Sequence, residues 1–273
     1  MSVRSPAAKR LLKRWARTAL ARGSLLAGIG RNGRLTPGLR ILTYHRIAED
    51  PRDPFAVAPG DFAAQMEAVA ATGVAEPLEK SLEQMRQGKD RQPRIALTFD
   101  DGTADFLTDA LPVLTRLGLP ATLYVSPARV GDPGFLDWDA LQTVSATGVQ
   151  IGSHGLDHRS LGRIPPEEVW IQVWESRRRL QDRLRVPVAS LAYPYGTVRD
   201  FNEGVKGSAR KAGYASACTS VNGVNRNSTD PLELRRTKIE QADDAIFRRI
   251  LAGGLDGWAF VDRNLSLLQN RYA

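Results

Sequence analysis

Cysteine is almost missing from this chain: Cys218 is the only one in 273 residues. A single thiol forms no internal disulfide and no cysteine-based metal cluster. Histidine is scarce as well, at three. No run of 18 or more apolar residues occurs, so the sequence offers no membrane-spanning helix. Acidic residues are absent from positions 1–40, which carry ten Lys or Arg. The formal net charge of +8 therefore belongs to that arm, and the remainder holds 28 basic against 30 acidic residues. A body of that balance argues against a nucleic-acid binder, and no nucleic-acid partner is expected.

What is present describes an ordinary folded protein, with 42% hydrophobic and 25% charged residues. A length of about 250 suits one α/β barrel as well as two smaller domains. In the basic arm, residues 1–38, a helix start at Ser5 and Pro6 precedes Leu11, Leu12, Trp15 and Ala19 at roughly helical spacing. Two readings stand side by side, a helix lying on a membrane surface and a basic helix that packs on its own domain or frays in solvent. Arg22 interrupts the apolar stretch, so no secretory signal is expected, which places the chain in the cytoplasm or on the inner membrane surface.

Apolar and β-branched runs predict strands at 40–45, 94–99, 121–126, 149–153, 190–195, 214–220 and 234–239. Helical patterns lie between them, including 59–73, 103–118 with a bend at Pro112, and 165–185 with acids in its first turn and arginines in its last. Alternating strands and helices imply a parallel sheet, and about seven such units predict an α/β fold: a distorted, incomplete (β/α) barrel. In such barrels chemistry gathers at the carboxyl ends of the strands.

All three histidines fall there. His45 ends the first strand, His154 follows the fourth, and His158 lies four residues on. The second strand runs "RIALTF" into the adjacent acids Asp100 and Asp101 and then Gly102. Taken alone, that pair reads as a turn or N-cap. Beside the histidines it reads differently. Four residues apart, both imidazoles can point the same way, and two imidazoles with one carboxylate form a common catalytic zinc set. An ion held by Asp101 would relieve the repulsion between the acids and leave Asp100 as a base.

"TFDDG" (98–102) and "SHGLDH" (153–158) resemble the first two motifs of the polysaccharide deacetylases, the carbohydrate esterases built on the NodB homology domain. The resemblance covers about residues 40–240 and implies an NodB-like domain over 39–273, with its motif-bearing core at 92–240. It implies a hydrolase of amide bonds that removes N-acetyl groups from an N-acetylhexosamine-containing polysaccharide or glycan precursor. Asp100 becomes the catalytic base; Asp101, His154 and His158 hold a divalent ion, Zn²⁺ foremost, with Co²⁺, Ni²⁺ or Mn²⁺ as alternatives. "LAYPYG" (191–196) resembles the third motif and assigns oxyanion stabilisation to the backbone N–H of Tyr195, with Tyr193 and Tyr195 along the sugar groove, set against packing of both rings at a strand end. Trp138 is a candidate floor for a sugar subsite, set against a role in starting a helix capped by Asp137 or Asp139.

Two departures matter. Ala192 stands where many members have an arginine that orients the catalytic Asp, and the C-terminal Leu-X-His of many members is missing. The early "LTYHRI" resembles instead the permuted branch that includes poly-N-acetylglucosamine deacetylases, which assigns the general acid to His45 and leaves Arg236 to replace the missing arginine. Two rival functions stand beside this one, and the departures motivate the first. A weakly catalytic metal- or carbohydrate-binding module expects His45 to lie far from the metal site; a deformylase or deacylase of a lipid-linked sugar expects a different acyl group.

Overall fold

The structure, a computed structural model, describes residues 15–21, 23, 35–89, 91–241 and 243–264. Nine strands are described: β1 (Gly38–Tyr44), β2 (Arg46–Ile47), β3 (Ala56–Val57), β4 (Pro93–Phe99), β5 (Ala121–Val125), β6 (Gln150–Ser153), β7 (Ser190–Ala192), β8 (Ser216–Cys218) and β9 (Thr237–Lys238). Seven of them form one sheet in the order β8-β7-β6-β5-β4-β1-β9, and every pairing in it is parallel. These are the seven strands expected from the sequence. β1 and β4 are buried nearly end to end, as a strand covered on both faces must be.

The sheet curls until its ends approach. Past β8, the chain at Leu234 makes a single parallel bridge to Cys218, and the Arg236 N–H donates to the Val221 carbonyl. On its other flank the same segment pairs with β1, Leu42 against Thr237 and Thr43 against Lys238. The barrel is distorted because this closing stretch is only two ladder residues long. Its interior holds a small cluster of its own, including Ile41, Ala96, Tyr124, Ala192, Cys218 and Leu234.

Helices cover the outside. Pro59–Ala70 buries Phe62, Met66 and Val69 against the sheet, and Pro166–Leu184 buries Val169, Val173 and Leu180. The stretch expected to bend at Pro112 has a more specific shape: a π-turn at Phe106–Ala110 precedes the helix Leu111–Leu117. Proline has no N–H for an i→i−4 bond, so the widened turn falls on the residues just before it. The predicted strands at 190–195 and 214–220 are shorter than expected, because Pro194 and the turn at Tyr195–Gly196 end the first and a loop ends the second.

The basic arm is described only in part. Residues 15–21 are helical, and their buried face is not the predicted stripe: Trp15 is 67% exposed whereas Arg17 and Ala21 are buried. Leu11 and Leu12 lie outside the described residues. Arg17 donates to Asp243 Oδ1 and Oδ2 and to the Lys238 carbonyl, and its guanidinium lies over the Trp258 ring. A partnered arginine fixes this turn to the domain, together with Leu20 and Ala21 packed on the core. Among the described residues no helix is long and apolar enough to cross a membrane.

Candidate active site

Register brings the first acid and the first histidine together. β1 and β4 pair Tyr44 with Phe99, so the next residues, His45 and Asp100, leave the sheet side by side, and the Asp100 N–H donates to the Tyr44 carbonyl. His45 Nε2 lies 4.0 Å from Asp100 Oδ2. The His45 ring stacks on Phe55, with centroids 4.9 Å apart, and its buried Nδ1 meets no partner. Burial pushes the His45 pKa down, helped by Lys238 and Arg236, against Asp100 and Asp101.

Asp100 is clamped from the far side of the barrel. Arg236 Nη1 and Nη2 each donate to one carboxylate oxygen at 2.7 Å, and Arg236 Nε donates to the Thr219 carbonyl at 2.8 Å. Both side chains are almost fully buried. Burial alone would raise the Asp100 carboxyl, but the Arg236 guanidinium and then His154 outweigh it, and its pKa falls below the usual carboxylate range. The guanidinium also lies over Tyr124, a neighbour of Ala192 in the barrel interior. Arg236 thus supplies from the closing strand a two-pronged cation of the kind that Ala192 lacks.

Asp101 turns the other way. It takes φ 74° and Gly102 φ 73°, so two consecutive left-handed residues swing the second carboxylate out of line with the first. His154 Nε2 lies 3.5 Å and His158 Nε2 3.3 Å from Asp101 Oδ1. Donors about 2.0–2.1 Å from a tetrahedral ion stand about 3.3 Å apart, so both Asp101–histidine spacings suit a divalent ion, and the three ligand atoms lie within 4.8 Å of one another. His154 Nδ1 is 2.7 Å from the Ala192 carbonyl, which fixes that nitrogen as the donor and leaves Nε2 as the ligand atom. Burial lowers the His154 pKa to about 4, the state a ligand needs. Asp101 too is held well below the usual range, burial being outweighed by the His158 hydrogen bond and the neighbouring imidazoles. These three are the group of metal-type donors found among the described residues.

Tyr195, also left-handed at φ 62°, sets its ring edge-on to His158, and its N–H has no acceptor among the described residues. The following Gly196 is irreplaceable, since a Cβ there would stand 2.7 Å from the Ser220 nitrogen. His45, Asp100, Asp101, His154, His158, Tyr195 and Arg236 all line one cavity of about 150 Å³, open to a cleft of about 650 Å³ that shares Asp101, His158 and Tyr195.

Residues 87–217 match the family model described as Polysaccharide deacetylase. That stretch of the chain is a polysaccharide deacetylase domain. As such it is a hydrolase of carbon–nitrogen bonds in linear amides. YxkH of Bacillus subtilis, which carries a polysaccharide deacetylase name, is 27% identical over 203 residues, 74% of this chain and 71% of that one. A chitooligosaccharide deacetylase of Bradyrhizobium is 29% identical over 165 residues, 59% and 68% of the two chains. The Streptococcus pyogenes deacetylase PplD, solved with acetate, shares the fold with TM-score 0.70 and 22% identity over 77% of this chain and 98% of its own.

Two expected groove residues of the deacetylase lie elsewhere. Tyr193 is fully buried, stacked on Phe201 with its hydroxyl donating to the Leu232 carbonyl, so it cannot meet a sugar. Trp138 begins the helix Trp138–Ala146, capped by Asp137, and lies beneath the Arg183 guanidinium; it lines neither cavity. The weak-module reading expected His45 far from the metal donors, whereas His45 and Asp101 line the same cavity. Phe55 and Lys238, both lining it, were missed. Lys238 was within reach: it lies two residues after Arg236 on a strand, and so on the same face.

Proposed function

We propose that this deacetylase removes N-acetyl groups from an N-acetylhexosamine-containing polysaccharide or glycan precursor, with a divalent ion, Zn²⁺ foremost, held by Asp101, His154 and His158. A single arrangement carries the reading: a carboxylate clamped by a buried arginine stands beside an Asp-His-His donor set, and both face one cavity. A bound divalent ion lowers the pKa of water from 15.7 toward about 7 and polarises a carbonyl. Asp100, ionised because Arg236 keeps it so, accepts the proton of the attacking water. The Tyr195 N–H donates to the oxyanion, a contribution worth about 2.7–4 kcal/mol in comparable sites. His45 delivers a proton to the departing amine. Burial keeps its imidazole neutral at rest, so the proton it delivers is the one Asp100 took from water, relayed across the 4.0 Å between them. The products are acetate and a free amine.

The reading is tested by acetate release from N-acetylglucosamine oligomers with the metal-stripped protein and after adding Zn²⁺ or Co²⁺. Release restored by the ion is the predicted result. Release of formate from a formylated sugar, with no acetate from any oligomer, would favour the deformylase.

A further inference from the structure

The larger cleft extends the active site, sharing Asp101, His158 and Tyr195 with it, and its remaining walls are basic. Arg129 follows β5; Arg159 and Arg163 follow β6; all three line it, with Phe135 and Ile164 as apolar surface and Asp157 as the acid outside the metal donors. Setting Asp101 aside, the lining carries a net charge of +2, inside a body whose overall balance beyond residue 40 is slightly acidic.

Each arginine is steadied from behind by an acid that does not line the cleft. Arg129 Nε donates to Asp132 at 3.1 Å and its guanidinium lies 4.3 Å over the Phe135 ring. Arg159 Nη1 pairs with Glu168. Arg163 Nε is 3.8 Å from Asp200 Oδ1, and no hydrogen bond from its guanidinium is found among the described residues. Since Arg129 and Arg163 turn Nε toward their acids, their terminal nitrogens stay available as forks for an oxyanion. Their side chains are 41% and 45% exposed, so the charges are reachable and their loss leaves the core intact. The serine hydroxyls of the cleft are already spent: Ser126 donates to the His154 carbonyl and Ser160 to Asp200. Tyr195 and Asp157 offer a neutral sugar hydroxyl and carboxylate partners, and the guanidinium forks of Arg129 and Arg163 add cations suited to an anion.

We propose that this cleft is a subsite for an anionic group, phosphate or carboxylate, carried by the glycan beside the sugar that loses its acetyl group. The substrate class is thereby an acidic N-acetylated glycan. The inference rests on the deacetylase reading for its turnover test but not for its binding test.

The experiment compares three tetramers of N-acetylglucosamine: neutral, with a phosphate monoester at the reducing end, and oxidised there to a carboxylate. At low ionic strength the KM for a charged tetramer is expected about tenfold below that of the neutral one, the size of one charge-assisted contact. The charged-to-neutral preference is expected to collapse toward one in Arg129→Gln/Arg163→Gln and in high salt. Preference for phosphate alone or for both anions supports the subsite and tells the two sources apart. Equal KM for all three, or a preference that the double variant retains, overturns it. Calorimetric binding of the same tetramers reads the subsite without turnover. Arginine-dependent, salt-sensitive binding with no acetate released sustains the subsite and sinks the deacetylase reading; equal binding with acetate released does the reverse.

Discussion

Replacing Arg236 with methionine removes the partner of a buried carboxylate while keeping most of the volume. Asp100 and Arg236 are about 3% and 2% exposed, so bulk solvent replaces little of a lost pairing. Two charge-assisted bonds at 2.7 Å are lost, and the Thr219 carbonyl loses its donor. Breaking a buried pair by removing one member costs about 3–5 kcal/mol, because the remaining charge is stranded. Asp100 has a way out: with the guanidinium gone, burial acts unopposed from that side and raises its pKa. Arg236→Met is therefore expected to lose about 3–5 kcal/mol in urea unfolding of the metal-free protein, and to shift the acidic limb of kcat/KM upward in pH. Adding Asp100→Asn to it should restore about 2 kcal/mol or more, since the stranded charge disappears. A loss below about 1 kcal/mol, or strict additivity in the double variant, would refute the pairing as the device that keeps Asp100 ionised.

Three further outcomes are expected. His154 is neutral in the folded protein down to about pH 4 but protonates at about 6.5 when unfolded, so the unfolded state binds the extra proton between those values. Stability of the metal-free protein should be full above about pH 6.5 and fall by about 3 kcal/mol as the pH drops through about 4, which urea titrations across pH 4–7 would read. Asp101→Asn should reduce bound Zn²⁺ per chain by tenfold or more in a metal assay while leaving the circular dichroism spectrum unchanged, because the side chain is partly exposed at a loop. Arg17→Met should cost about 3–5 kcal/mol by stranding Asp243, and a cost near zero would mean that residues 15–21 do not dock as described.

Much of this site was legible because strand ends are legible. Runs such as 94–99 have no helical period, and the polar residue that ends each run marks the carboxyl rim. The placement of His45, Asp100 and His154 follows from that rule and from parallel register, which levels neighbouring strand ends. Tyr193 shows where the rule stops: once β7 ends at Ala192, alternation no longer decides which side a ring takes, and packing on Phe201 draws it inward. Trp138 failed for a related reason, since an aromatic after Asp137 serves a helix start as well as a sugar floor. The pairing of Arg236 with Asp100 depends on which strand closes the barrel against β1, a global property that two ladder residues decide. In the basic arm Trp15 and Ala19 face outward while Arg17 pairs with Asp243 and Ala21 joins the core, as the reading of a basic helix packed on its own domain expects; Leu11 and Leu12 lie outside the described residues.

The central claim is that the two adjacent acids divide the work, Asp101 holding the ion and Asp100 handling the proton. Asp100→Asn separates these roles in a single comparison of bound metal and acetate release from N-acetylglucosamine oligomers. One Zn²⁺ per chain with release reduced by at least about 10²-fold is the predicted result. Unchanged release, or loss of the metal together with the activity, would contradict it.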